Sequence, residues 1–219
     1  MIMAAALLDG LDGRIARLLR GESRFGAELD SLSDAISFGV SPALVLYLWS
    51  LMEAPRVGWI CALVYAVFCA LRLARFNARI DVTDQPHKSA GFLTGVPAPA
   101  GAGLALLPLY AWLWSGDIRF QSPWLVAPWL AFVAFLMVSS LATFSWSSLK
   151  LRRNVRFEAI VVVVAIAAAL VSAPWPTLSL ACLAYLATIP FSVASYRRVK
   201  RLRATQAGPV REATASDER

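Results

Sequence analysis

The sequence predicts an all-α protein, a multi-pass transmembrane helical bundle of about six full spans plus a truncated N-terminal helix. Three observations predict it. Of 219 residues, 58% are hydrophobic and 16% charged, with a mean hydropathy of +0.61, whereas a soluble domain has roughly half apolar and a quarter charged residues. Apolar runs recur near the roughly twenty residues that cross a bilayer as a helix. If those runs alternate across a membrane, nineteen of the 21 Lys and Arg residues fall on one side, leaving only Arg56 and Arg119 opposite. Basic residues accumulate on the cytoplasmic side, so the partition predicts a protein of the cytoplasmic membrane and sets its orientation.

The first element is short. MIMAAALL precedes Asp9 and at about 1.5 Å per residue covers roughly 12 Å of a hydrocarbon core about 30 Å thick. It is expected to be the end of a helix whose beginning lies upstream. With no basic leader and no small-residue cleavage site, it does not have the form of a signal peptide. The connection RLLRGESRF then leads into a run from Ser33 to Leu51, and further runs extend over Val57 to Leu73, Phe92 to Trp114, Pro123 to Leu141, Ala159 to Ala173 and Leu178 to Val193. Pro97, Pro99 and Pro108 shape the third of these. Trp112, Trp114, Trp124 and Trp129 gather around one loop, the pattern of an interfacial aromatic belt. Glu158 suits the start of a helix. Cys61, Cys69 and Cys182 lie inside apolar runs without metal-ligand spacing and are expected to be packing residues. The chain is read as a catalytic membrane core over 1–150, a pair of transmembrane helices over 151–199 and a disordered basic cytoplasmic tail over 200–219.

The net charge of +7 sits in short loops beside apolar runs, with no soluble aromatic-rich module between them. Nucleic acid is thereby disfavoured as a partner, and membrane lipids with anionic headgroups are the simpler one.

Four carboxylates pose the chemical question. Asp9 and Asp12 stand three apart and Asp30 and Asp34 four apart, so each pair projects from one helix face. If the two pairs converge, their like charges raise one another's pKa unless a cation compensates. Oxygen-only donors favour Mg²⁺ or Mn²⁺ over Zn²⁺, and His87 is the only histidine. Two such ions would suit transfer of a phosphate-containing group. The small residues Gly13, Ala16 and Gly26 allow a ligand close to the backbone, and Arg17, one turn beyond Gly13, can meet phosphate oxygens. The competing reading is a solvated acidic surface paired with Arg14, Arg17, Arg20 and Arg24.

From Asp9 to Asp34 the sequence reads DxxDGxxAR, eight residues, then GxxxDxxxD. This resembles the signature of the CDP-alcohol phosphotransferase family at Asp9, Asp12, Gly13, Ala16, Arg17, Gly26, Asp30 and Asp34. The resemblance implies that Asp9, Asp12 and Asp30 hold the metals and that Asp34 both ligates metal and acts as the catalytic base. It also implies a homodimer. DSLSDAISFGVSPA, LRLARFN, GFLTGVPAPAGAG and LMVSSLATFSWSSLK are similar to segments of the integral-membrane bacterial and archaeal branch that uses CDP-diacylglycerol and L-serine. GVPAPAGAG departs from the more usual GLP form. The expected reaction transfers a phosphatidyl group to serine and releases CMP, with the site facing the cytoplasm.

Arg72, Arg75 and Arg79 follow helical spacing near the end of a span. One of them is expected to receive the serine carboxylate, unless all three anchor lipid phosphate. Glycerol 3-phosphate, inositol phosphate and choline are alternative acceptors within the family. A cation transporter is the alternative outside it, and it predicts acids in the middles of several spans, which the later runs lack.

Overall fold

Runs of Leu, Val, Ala, Ile and Phe cannot hydrogen-bond their own backbone to water in hydrocarbon, and a helix satisfies it internally. The computed structural model describes residues 24–78, 92–139, 142–144 and 156–207, and these are overwhelmingly helical. Helix α1 (Arg24–Asp34) continues through a π-helical turn (Ala35–Val40) into α2 (Ser41–Trp49), and α3 (Pro55–Asn77) returns. Strand β1 (Phe92–Thr94) precedes α4 (Ala98–Ala105) and α5 (Leu107–Ser115). Next come α6 (Pro123–Val138), β2 (Ala142–Phe144), α7 (Arg156–Ser172) and α8 (Pro174–Ala207).

Helix α3 packs most extensively on α6, α1–α2 lies along α3, and α8 rests on α4, α5 and β2. Tyr65, Leu46, Val126, Leu130 and Val133 fill the centre and are fully buried. Outward-facing side chains are also apolar, with Leu48 65%, Trp124 78% and Val171 86% exposed. Water penalises so much apolar surface and hydrocarbon does not. Glu28–Trp49 and Pro55–Asn77 are long and apolar enough to cross a bilayer, while Pro123–Val138 and Val161–Ser172 are shorter apolar helices. The chain is therefore a helical membrane protein.

One end of the bundle is tied by a reciprocal pair of hydrogen bonds. Ser50 Oγ donates to the Gln121 carbonyl at 2.6 Å, and Gln121 Nε2 donates to the Trp49 carbonyl at 3.0 Å. The α2–α3 and α5–α6 connections thus share that end, and Tyr110 stacks on Trp175 at 6.4 Å, bringing the start of α8 alongside α5.

Three expectations need correction. The run from Phe92 to Trp114 is not one helix: its first residues pair as a ribbon, Phe92 with Phe144, Leu93 with Thr143 and Thr94 with Ala142. Gly95 then turns the chain at φ +77°, a conformation open to glycine, and Pro97 caps the helix that follows. The tail does not begin at Lys200, because α8 continues to Ala207. Trp114 and Trp124 are exposed as a belt requires, but Trp129 turns inward.

The inward turn of Trp129 answers a backbone need. Pro108 has no N–H for the carbonyl of Leu104, four residues back, and the helix breaks there into α4 and α5. Trp129 Nε1 donates to that carbonyl at 2.8 Å. Pro42 likewise has no N–H for the Phe38 carbonyl, although the chain stays helical through it, and Tyr65 Oη donates to that carbonyl at 3.0 Å. Each of these two carbonyls is met by an aromatic donor from a neighbouring helix. Trp129→Phe should lower the melting temperature in detergent by about 2–4 °C, the effect of one lost hydrogen bond in a chain of this size. An unchanged melting temperature would show that the Leu104 carbonyl does not depend on the indole.

Candidate active site

Helix α1 carries Gly26, Asp30 and Asp34 at intervals of four, so they share one face. Gly26 and Asp30 are exposed, whereas Asp34 is half-buried. The burial gradient follows the sequence: the polar stretch ELDSLSD gives way to AISFGV at Ala35, so Asp34 is the acid nearest the apolar bundle. The π-turn begins directly after it, with Ser41 N–H and Ser41 Oγ both reaching the Ile36 carbonyl. Such wider turns occur mostly as single insertions, often beside functional groups.

The end of α3 meets this face. Asn77 Nδ2 donates to Ser31 Oγ at 2.6 Å, fixing α1 against the last turn of α3. Arg72 is half-buried and lies within electrostatic reach of Asp34, Cys69 and, from α8, Tyr185. Its Nε is buried without a hydrogen bond among the described residues. Arg75 turns elsewhere: Nη1 donates to the Val138 carbonyl at 3.2 Å, at the C-terminus of α6, where a cation complements the helix dipole. Gly95 sits beside the same terminus, where an added Cβ would stand 2.7 Å from the Met137 carbonyl oxygen and 2.9 Å from that of Ser139.

Two predicted residues, Asp34 and Arg72, thus lie within electrostatic reach of one another, with Asp30 and Gly26 on the same face as Asp34. Arg75 is occupied by α6. Asp9, Asp12, Gly13, Ala16, Arg17 and Arg79 lie outside the described residues. Tyr185 was missed by sequence reasoning, and a single phenol in the apolar run ACLAYLATIP was its only signal. Cys61, Cys69 and Cys182 are free and at least partly buried, as expected of packing residues.

The described part of the acid set fits a hard divalent cation by its chemistry. Asp30 and Asp34 offer only carboxylate oxygens from one helix face, one turn apart. Among the described residues no group of three or more His, Cys, Asp or Glu forms a metal cluster, so completing a site calls on the first Asp pair.

Comparison with known proteins shows what the chain is similar to. The profile of the CDP-alcohol phosphatidyltransferase family matches residues 1–138, and that of CDP-alcohol phosphatidyltransferase 2 matches residues 154–190. The CDP-diacylglycerol–serine O-phosphatidyltransferase of Mycobacterium bovis is 43% identical over 197 residues, covering 90% of this chain and 68% of the relative. That of Mycobacterium leprae is 41% identical over 90% of this chain and 65% of its own length. The enzyme of the same name from Methanocaldococcus jannaschii is 43% identical over 47% of this chain and 45% of its own.

The bond between Asn77 and Ser31 should be measurable as a coupling. Asn77→Ala, Ser31→Ala and the double variant, unfolded in detergent, should give an interaction energy of about 1 kcal/mol. A coupling near zero would mean that α1 is held by packing alone.

Proposed function

The chain belongs to the CDP-alcohol phosphatidyltransferase family, and from that premise we infer that it transfers the phosphatidyl group of CDP-diacylglycerol to the hydroxyl of L-serine. The products are phosphatidylserine and CMP. The observation that carries the choice of acceptor is the reach of the likeness: 43% identity to a serine-using relative over 90% of the chain, well beyond the acid signature.

The residues divide the work as follows. Asp34 takes the proton of the serine hydroxyl. The serine oxygen attacks the phosphorus that bears diacylglycerol, a new P–O bond forms, and the bridging P–O bond of the pyrophosphate breaks, its electron pair leaving with CMP. Asp9, Asp12, Asp30 and Asp34 would hold Mg²⁺ or Mn²⁺, two ions in this reading, whose charge when bound stabilises the pyrophosphate and the departing CMP. Gly13, Ala16 and Gly26 leave room for the pyrophosphate near the backbone, and Arg17 supplies a donor to it. Arg72 receives the serine carboxylate. Its support is that it lies within electrostatic reach of Asp34, while Arg75 is committed to the Val138 carbonyl.

The charge partition supports six spans in the cytoplasmic membrane, with the Asp-bearing end toward the cytoplasm. The acyl chains then stay in lipid while water-soluble serine arrives from inside the cell. Family likeness supports a homodimer.

Membranes containing the chain, supplied with CDP-diacylglycerol, Mg²⁺ or Mn²⁺ and labelled serine, glycerol 3-phosphate or inositol phosphate, test the reading directly. Label should enter lipid from serine alone, with CMP released, and Asp34→Asn should abolish both. Label entering from another alcohol would keep the family and overturn the acceptor. Arg72→Lys should raise the serine KM about tenfold, since an ammonium cannot reproduce a bidentate guanidinium contact, whereas Arg75→Lys should leave it within about twofold. Equal effects of the two would remove the special place of Arg72.

A further inference from the structure

Two buried polar groups at the Asp-bearing end have no hydrogen-bond partner among the described residues, and they come from different helices. They are Arg72 Nε on α3 and the Tyr185 hydroxyl on α8. Each lies within electrostatic reach of the other, and Tyr185 packs against the hydrophobic core. Both groups are donors. A buried donor without an acceptor is unfavourable, and a ligand that brings an anionic oxygen between them removes that cost from both at once.

The reaction offers two anions, the pyrophosphate of the donor and the carboxylate of the acceptor. Asp34 distinguishes them. Two carbon atoms separate the hydroxyl of serine from its carboxylate carbon, so a site whose base is Asp34 must receive the carboxylate close to Asp34. Arg72 lies within electrostatic reach of it, on the helix tied to α1 through Asn77 and Ser31. The pyrophosphate belongs on the more exposed side, with Gly26 and Asp30.

On this basis, and resting on the serine-transfer reading above, we propose that Tyr185 is a specificity-determining residue of the acceptor site, its hydroxyl donating to the serine carboxylate beside the Arg72 guanidinium. The guanidinium supplies charge and Tyr185 supplies direction. A site built to hydrogen-bond one substrate group rejects analogues that lack it, because its buried donors are then left unpaired. Tyr185 therefore acts against alcohols such as ethanolamine, which is serine without the carboxylate. It also gives α8, far along the chain from the acids, a role in choosing the acceptor.

Tyr185→Phe keeps the ring and its packing and removes only the donor. In the full chain in detergent with CDP-diacylglycerol, the variant should raise the serine KM about tenfold and lower the serine-to-ethanolamine ratio of kcat/KM by a similar factor. The KM for CDP-diacylglycerol should stay within about twofold, and protection against thermal unfolding by L-serine should weaken in parallel. Serine and ethanolamine constants that move together, or none that move, would make Tyr185 a packing residue and overturn the proposal. A rise confined to the KM for CDP-diacylglycerol would overturn it in favour of the donor phosphate. Failure of the underlying reading looks different: the unaltered chain would then not turn over serine, and the proposal would fall with it.

Discussion

A carbonyl that loses its helical partner inside a bundle is costly unless another donor meets it, and at two prolines here the donor comes from a neighbouring helix and joins the two. Pro42 and Pro108 each withhold an N–H from the carbonyl four residues back. Tyr65 and Trp129 supply the replacements at 3.0 and 2.8 Å. An unpaired buried carbonyl costs about 1–3 kcal/mol and more in hydrocarbon. The two prolines therefore favour particular neighbours for α2 and α4–α5: α3 for one and α6 for the other. Since α3 and α6 form the central pair, both are referred to the same frame.

That frame decides where charge can sit. The Phe38 carbonyl mended by Tyr65 lies in the π-turn that starts just after Asp34, and one residue on, Gly39 crosses α3 so closely that a Cβ there would lie 3.1 Å from that of Cys69. Cys69 is one turn from Arg72. The contact that admits only a small residue thus also sets the approach of Asp34 to Arg72. Half-burying two opposite charges is less costly when they lie near one another, and the bond between Asn77 and Ser31 ties the two helices at that end. The site is in this sense the polar end of a packing arrangement decided by apolar and small residues deeper in the bundle.

Spacing carried the reading a long way. Asp30 and Asp34 at an interval of four do share a face, most of the apolar runs become helices, and the end of α3 falls where Arg72, Arg75 and Asn77 cluster. What spacing could not convey was the division of labour among the arginines, because it depends on the Val138 carbonyl, 63 residues from Arg75. The paired strands were hidden for another reason: FLT and ATF are three-residue pieces within longer apolar stretches, where periodicity does not separate strand from helix. Prolines announced the two unpaired carbonyls, but nothing local announced the tryptophan and tyrosine that meet them.

The indole bond to Leu104 also bears on how the protein enters a bilayer. Residues 98–115 are synthesised before Trp129, so a lone α4–α5 would carry the bare Leu104 carbonyl into hydrocarbon, whereas the same segment inserted with α6 has that carbonyl paired. The two segments are consequently worth more to the membrane as a hairpin than as successive single helices. A tertiary contact seen in the finished protein thereby becomes a preference in the order of its assembly.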